Sequence, residues 1–429
     1  MLKPVSGQPL GRIKSIVGGS AGNLVEWYDW YAYSVLTIYF APVFFPKEDK
    51  TAQLLSAAAI FAVGFLMRPI GAWWMGVYGD RHGRKAGLAL SVGLMAGGSL
   101  LIAIAPTYAQ ASVAAPVILL IARMMQGLSV GGEYGTSATY LSEVASRKGR
   151  GFWSSFQYVT LIGGQLLSLG VLLILQAWLP EPDLNAWGWR IPFVIGSLLA
   201  IFVFLLRRRI DESASFAAMP IERPVSAISH LWRGHRREFI LVAIISAGGS
   251  LAFYSYTTYL QKFLVNTSGF SKQSATEVMT FALIVFMALQ LVWGWISDRV
   301  GRKPLLLLFG AGGTLISVPV FSALTTVKSP ESALLIILIP LTLLAAYTSI
   351  GAVIKAELFP AHIRTLGVAF PYAIGNALFG GSAEAVALWF KAYGNESGFY
   401  WYVTAILAVA TVAFAMLPET KITSLIEED

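Results

Sequence analysis

The sequence predicts an all-α integral membrane protein: twelve transmembrane helices in two six-helix halves related by pseudo-two-fold symmetry. Three observations carry that prediction. The 429 residues are 56% hydrophobic and only 13% charged, with a mean hydropathy of +0.66, whereas a soluble chain carries roughly a quarter charged residues. Apolar stretches of the ~20 residues that cross a bilayer as a helix recur along the whole chain. Finally, the ten residues from Gly76 to Lys85 (GVYGDRHGRK) return 218 positions later, from Gly294 to Lys303 (GWISDRVGRK). A duplicated half in a hydrophobic chain suggests a transporter with its site between the halves.

The twelve stretches lie near 16–44, 53–78, 87–106, 113–143, 152–178, 189–206, 238–265, 274–296, 304–326, 332–356, 364–390 and 398–417. Helices are expected because a lone helix satisfies its own backbone in lipid; a barrel would show alternating segments of ~10 residues. Span 1 follows a short basic N-terminus, is long enough to cross, and shows no cleavable secretory signal. It carries Glu26 and Asp29, three apart on one face. Span 2 holds Arg68 before Pro69, which removes a backbone hydrogen bond and favours a bend. The first decapeptide joins spans 2 and 3, and the second joins spans 8 and 9. Span 4 carries Arg123, Glu133 and the glycines Gly127, Gly131, Gly132 and Gly135, a spacing that favours close helix packing. Span 5 puts Tyr158 and Gln165, seven apart, on one face. Between spans 6 and 7 runs the one substantial polar interruption, so the halves are 1–206 and 238–429 with a cytoplasmic linker at 207–237. Span 7 bears Ser250, Tyr254, Thr257, Thr258 and Gln261 at steps of three or four. Such a stripe faces a wet cavity or makes interhelical hydrogen bonds. Lys262 follows it, near enough to the outer surface to snorkel. Span 11 carries Asn376 and Glu384. Trp187, Trp189, Trp401 and Tyr402 lie near span ends, where interfacial aromatic belts belong.

The net charge of +8 could indicate nucleic acid, but its distribution indicates topology. With the N-terminus inside, about 21 of the 31 Lys and Arg fall in cytoplasmic segments. That is the positive-inside pattern, with both termini cytoplasmic and no nucleic-acid partner. Cysteine is absent, which excludes disulfides and thiolate chemistry. No nucleophile–base set, metal cluster or phosphate-cradling loop stands out, so neither an enzyme nor a metal or organic cofactor is expected.

A second repeat accompanies the decapeptide. Glu143 and Arg150 are seven apart, as are Glu357 and Arg364, at an offset of 214. The two GxxxDRxGRK loops with this charge cluster resemble the signature of the major facilitator superfamily. The stretches GNLVEWYDWYAYS (22–34), LMRPIGAWWMGVYGDRHGRK (66–85) and RMMQGLSVGGEYGTSATYLSEV (123–144) resemble its metabolite:proton symporter branch. The resemblance implies that the loops latch the cytoplasmic side, a role carried onto Asp80, Arg84, Glu143, Arg150, Asp298, Arg302, Glu357 and Arg364. It also implies symport of 2-oxoglutarate, or alternatively citrate or another organic acid, with protons across a bacterial inner membrane. A sensor that keeps the fold without transport is the other class left open.

Charges inside spans are costly in lipid and normally face a cavity or a partner. They either tie helices together as buried pairs or serve an anion, for which the planar fork of Arg suits a carboxylate. On the second reading Arg68, Arg123, Tyr158, Gln165, Tyr254 and Asn376 bind the substrate. Asp29, with Glu26 or Glu133, carries the proton. A monomer in the bilayer is expected.

Overall fold

The structure is a computed structural model that describes residues 9–46, 49–82, 84–131, 138–139, 141–142, 145, 147–207, 227–361 and 363–426. Among them are twelve long helices and no strand. The first half comprises α1 (Pro9–Phe44), α2 (Lys50–His82), α3 (Arg84–Ile104) and α4 (Ala114–Val130), then α5 (Arg150–Trp178) and α6 (Ile191–Arg207). The second comprises α7 (Arg236–Asn266), α8 (Lys272–Val300), α9 (Lys303–Thr326) and α10 (Pro330–Glu357). It ends with α11, which runs Arg364–Gly375, Asn376–Gly380 and Ala383–Ala392, and with α12 (Glu396–Met416). Seven of these helices are individually long and apolar enough to cross a membrane.

The duplication is visible in the packing. In the first half α1 packs on α5 and α6, α2 and α3 on α4, and α3 on α6. In the second, α7 packs on α11 and α12, α8 and α9 on α10, and α9 on α12. Every pair recurs six helices later. The halves meet along α2 with α11 and α5 with α8, two seams that the same symmetry exchanges. Large apolar side chains such as Ile104, Trp178, Phe281 and Leu315 point outward. In water that surface would cost tens of kcal/mol at about 25 cal/mol per Å²; lipid removes the cost.

Two details depart from, or refine, the sequence reading. Trp187 and Trp401 are exposed as interfacial residues should be, but Trp189 is fully buried. A 3₁₀ turn at Gly188–Arg190 turns it inward, where its ring meets Phe40, Phe44 and Phe193 at centroid distances of 5.8, 5.5 and 6.4 Å. Gly127 and Gly131 serve packing, as expected. A Cβ on either would lie 2.0 or 2.1 Å from the carbonyl oxygens of Gly64 and Arg68 on α2. Gly132 and Gly135 lie outside the described residues.

Both α7 and α11 contain a π-helical turn, at Tyr254–Tyr259 and Asn376–Gly380. Such turns are rare and frequently mark functional sites. Each begins on a residue singled out from the sequence, Tyr254 or Asn376.

Candidate functional site

The helices at the seam gather a polar cluster in the middle of the molecule. Arg68 from α2 lies with its guanidinium carbon 4.0 Å from the ring centroid of Trp30 and 4.1 Å from that of Phe65. The Tyr254 hydroxyl of α7 stands beside Arg68, Tyr31 of α1 and Asn376 of α11. Tyr372 of α11 joins Tyr158, Tyr254 and Arg68. All of these side chains are buried. The structure therefore brings together Arg68, Tyr158, Tyr254 and Asn376 from four helices, and adds Tyr31 and Tyr372, which the sequence did not single out. Both Asn376 amide atoms and the Tyr31 hydroxyl have the Tyr254 hydroxyl nearby but no partner in good hydrogen-bond geometry.

Arg123 sits deeper in the first half. Its guanidinium carbon is 4.1 Å from the Trp30 ring centroid and 4.5 Å from that of Tyr33. Trp30 thus carries both cations, an arrangement worth about 2 kcal/mol per contact when desolvated. Neither arginine pairs with a carboxylate among the described residues. Nε and Nη2 of Arg68, and Nε and Nη2 of Arg123, are buried without an acceptor. Buried charged donors are normally satisfied, so four unengaged guanidinium positions in one region point to a ligand.

Asp29 is fully buried between α1, α3 and α4. Its Oδ2 accepts from the Ser99 hydroxyl and from Gln126 Nε2 at 3.4 Å. Gln126 Oε1 in turn accepts from Arg123 Nη1 at 2.6 Å. Neither Ser99 nor Gln126 was picked out beforehand. Glu26 is also buried and engaged with neighbours, while Glu133 lies outside the described residues. Gln165 does not reach the arginines. It crosses the seam and donates to the Thr257 carbonyl at 2.8 Å, inside the π turn of α7. The span 7 stripe is buried in protein, away from lipid, with Gln261 donating to Thr276 at 3.2 Å.

Lys262 corrects the sequence reading. It does not snorkel; it is fully buried. Its ammonium donates to Glu384 Oε2 at 2.7 Å and to the Ser34 hydroxyl of α1. Burial of both partners within the helix bundle, one turn below the end of α7, explains the difference.

Contacts join the halves at both ends. At the end bearing the second decapeptide, Asp298 accepts from the backbone N–H groups of Gly151 and Phe152, at 2.8 and 2.9 Å. A carboxylate there meets the positive end of α5. Arg302 Nη1 pairs with Asp298 at 3.0 Å, and Arg302 Nη2 lies 3.8 Å from Glu357 Oε1. Arg150 approaches Glu357 across the seam at 3.7 Å. Arg364 instead donates to carbonyls, at 3.0 Å to Phe359 and 2.8 Å to Leu425. The segment after α12 completes this assembly, a feature the sequence did not announce. Glu419 accepts from the backbone N–H groups of Arg302 and Lys303, and Thr420 donates to Glu357 at 2.6 Å. Gly301 has φ +100° and a Cβ there would strike Glu419, so only glycine fits the turn. In the first copy, the side chains of Asp80, Arg84 and Glu143 lie outside the described residues. At the opposite end, Lys272 binds Glu181 at 2.9 Å and Asn185 at 2.9 Å, and Asn266 donates to Thr51 at 3.2 Å.

Comparison with known proteins now adds a name to this geometry. The sequence model of the Major Facilitator Superfamily matches residues 22–380. The chain is 50% identical to an alpha-ketoglutarate permease of Escherichia coli (strain K12), over 95% of this chain and 94% of that protein. It is 32% identical to a citrate-proton symporter of Klebsiella pneumoniae, over 91% and 88% of the two chains. A solved D-xylose-proton symporter superposes with a TM-score of 0.77 at 20% identity, covering 96% of this chain and 99% of that one.

Proposed function

The chain belongs to the Major Facilitator Superfamily, and we propose that it imports 2-oxoglutarate together with protons by alternating access. The observation that carries the proposal is the pair of buried arginines, Arg68 and Arg123, with four unengaged donor positions. Two fixed cations match a dianion, and a bidentate guanidinium–carboxylate pair adds geometric selectivity. The 50% identity to an alpha-ketoglutarate permease supports the choice of dianion. Tyr158, Tyr254, Asn376, Tyr31 and Tyr372 supply hydrogen bonds. Gln165 steadies the seam at the α7 turn.

Asp29 carries the coupled proton. A buried acid near a fixed cation changes its proton affinity when an anion approaches that cation, and binding of proton and substrate are then linked. The halves rock about the central cluster. The Asp298, Arg302, Glu357 and Arg150 assembly closes the cytoplasmic side, and the Lys272–Glu181 and Asn266–Thr51 contacts close the outer side. The protein works as a monomer in a bacterial inner membrane with both termini cytoplasmic, the orientation that the basic loops favour.

The test is uptake of labelled 2-oxoglutarate by proteoliposomes with and without an inward proton gradient. Accumulation that a protonophore abolishes is the expected result. Asp29→Asn should keep exchange of 2-oxoglutarate and lose accumulation. The identity to citrate-proton symporters supports a second reading in which citrate is the cargo; stronger competition by citrate than by 2-oxoglutarate would favour it. Binding without flux of either anion would leave a sensor.

A further inference from the structure

We infer that Gln126 is a positioning residue that transmits the protonation state of Asp29 to Arg123 through the fixed polarity of its amide. The inference deepens the transport reading above and rests on it. An arginine offers only donors, and an ionised carboxylate only accepts. Gln126 lies between the two. Its oxygen must face Arg123, where Nη1 donates at 2.6 Å. Its NH₂ group must then face the other way, donating to Ser99 Oγ at 2.7 Å and to Asp29 Oδ2 at 3.4 Å. The Ser99 hydroxyl in turn donates a hydrogen bond to Asp29 Oδ2. Every hydrogen bond thus points from Arg123 toward Asp29, so the orientation of the amide is fixed by its neighbours.

Burial makes the chain stiff. Arg123, Gln126, Ser99 and Asp29 are all at 0% exposure, so no water competes for these bonds. A Cβ on Gly98 would come within 2.8 Å of Gln126 Cγ, so α3 packs closely against the stem of this side chain. Aligned chains of this kind polarise one another, each bond strengthening the next. The groups facing Asp29 are Arg123 and Gln126 from α4, Ser99 from α3, the backbone of Gly196 from α6, and Tyr28 beside it on α1. The Tyr28 hydroxyl donates elsewhere, to the Pro192 carbonyl at 2.9 Å.

Asp29 Oδ1 has no hydrogen-bond partner and is the oxygen open to a proton. Protonation there turns Oδ2 from a charged into a neutral acceptor, the bonds from Ser99 and Gln126 weaken, and the pull on Arg123 through Gln126 relaxes. Arg123 then has Nη1 as well as Nε and Nη2 to offer an anion. The converse holds by linkage: an anion that draws Arg123 away weakens the hold on the ionised carboxylate and favours proton uptake.

The test is the affinity of the purified full-length chain for 2-oxoglutarate, measured calorimetrically from pH 5.5 to 8.5. Wild type should bind about tenfold more weakly at the alkaline end, within the usual range of coupling between sites. In Gln126→Leu the ratio of alkaline to acid Kd should collapse to within about twofold of one. A purely structural role would raise Kd equally at both ends and leave the ratio intact, and that outcome overturns the inference. Should the leucine variant not fold, Gln126→Met serves instead. Its thioether matches the length of glutamine, does not titrate and cannot donate to Ser99, so the ratio should again collapse, and a wild-type ratio overturns the relay. A wild-type Kd that ignores pH overturns both the relay and the role of Asp29, while the uptake assay judges transport separately.

Discussion

In the first half Arg68 and Arg123 lean on Trp30 with donors unengaged, whereas in the second Lys262 and Glu384 close on each other at 2.7 Å. Both sets are buried, in bundles with matching helix packing. Duplication therefore preserved the scaffold and not the electrostatics. On the proposed function, the first half offers charge to a ligand. The second pairs Lys262 with Glu384 and lends one further donor, from Lys262 to Ser34, across the seam, while its other buried ammonium, Lys355, lies 4.3 Å from the Tyr372 ring centroid. Guanidinium is weakly hydrated and stacks on aromatic faces, which suits Arg68 and Arg123 to their places on Trp30.

The largest effect that can break this comparison is on stability. Lys262→Met leaves Glu384 buried without a counter-ion and should destabilise the fold by about 3–5 kcal/mol. The double variant Lys262→Met with Glu384→Leu should recover most of the loss, read as melting temperature, and should still bind 2-oxoglutarate. Loss of binding in the double variant would mean that the second half also touches the substrate. Next in size, Arg68→Gln or Arg123→Gln should weaken 2-oxoglutarate binding about 100-fold, near 3 kcal/mol for a lost charge-assisted contact. Neither should move the melting temperature by more than a few degrees. A fall in stability matching that at Lys262 would make the two halves alike.

A smaller effect concerns the ends. Asp298→Asn removes the charged acceptor for two backbone N–H groups at the head of α5. Because the chain has no native cysteine, a single Ser154→Cys reports access to that end by its alkylation rate. The rate should rise about tenfold when Asp298→Asn is added, the factor for 1.4 kcal/mol. An unchanged rate would mean the contact does not hold the halves. The smallest effect lies at the opposite end. The Lys272 ammonium, hydrogen-bonded to Glu181, holds its carboxyl below the usual carboxylate range. A folded value below the unfolded one contributes stability above that range and loses it as pH falls through it. The Glu181 side chain is 61% exposed, so Glu181→Gln should cost under about 1 kcal/mol at pH 7 and progressively less in acid.

The fold was nearly all legible because apolar length, basic loops and an internal repeat are strong signals in a membrane chain. The burial of Arg68, Arg123 and Asp29 was legible too, since a charge inside a span stands out by its cost. Gln126, Ser99, Tyr31 and Tyr372 did not stand out. Neutral polar residues are common in spans, and only the helix arrangement reveals which of them face a cation. Lys262 was misjudged because its depth depends on α7 being deeply enclosed at its far end, where α1 and α11 cover it. The segment from Glu419 to Leu425 was invisible for a different reason. Its partners, Arg302, Glu357 and Arg364, lie far back in the chain, and no local pattern encodes such contacts.

The two π turns carry a consequence for how the second half came to differ. A π turn is an α-helix with one residue too many, and each residue advances the helix by about 100°. Lys262 lies just beyond the turn at Tyr254–Tyr259, and Glu384 just beyond the turn at Asn376–Gly380. The ion pair therefore depends on both helices having been re-phased, one inserted residue each. Excising a single residue from either turn would swing its charge about a quarter of the way round the helix and strand the other. Shortening both would turn each charge about its own helix axis and off the shared face, so the contact needs both turns in place.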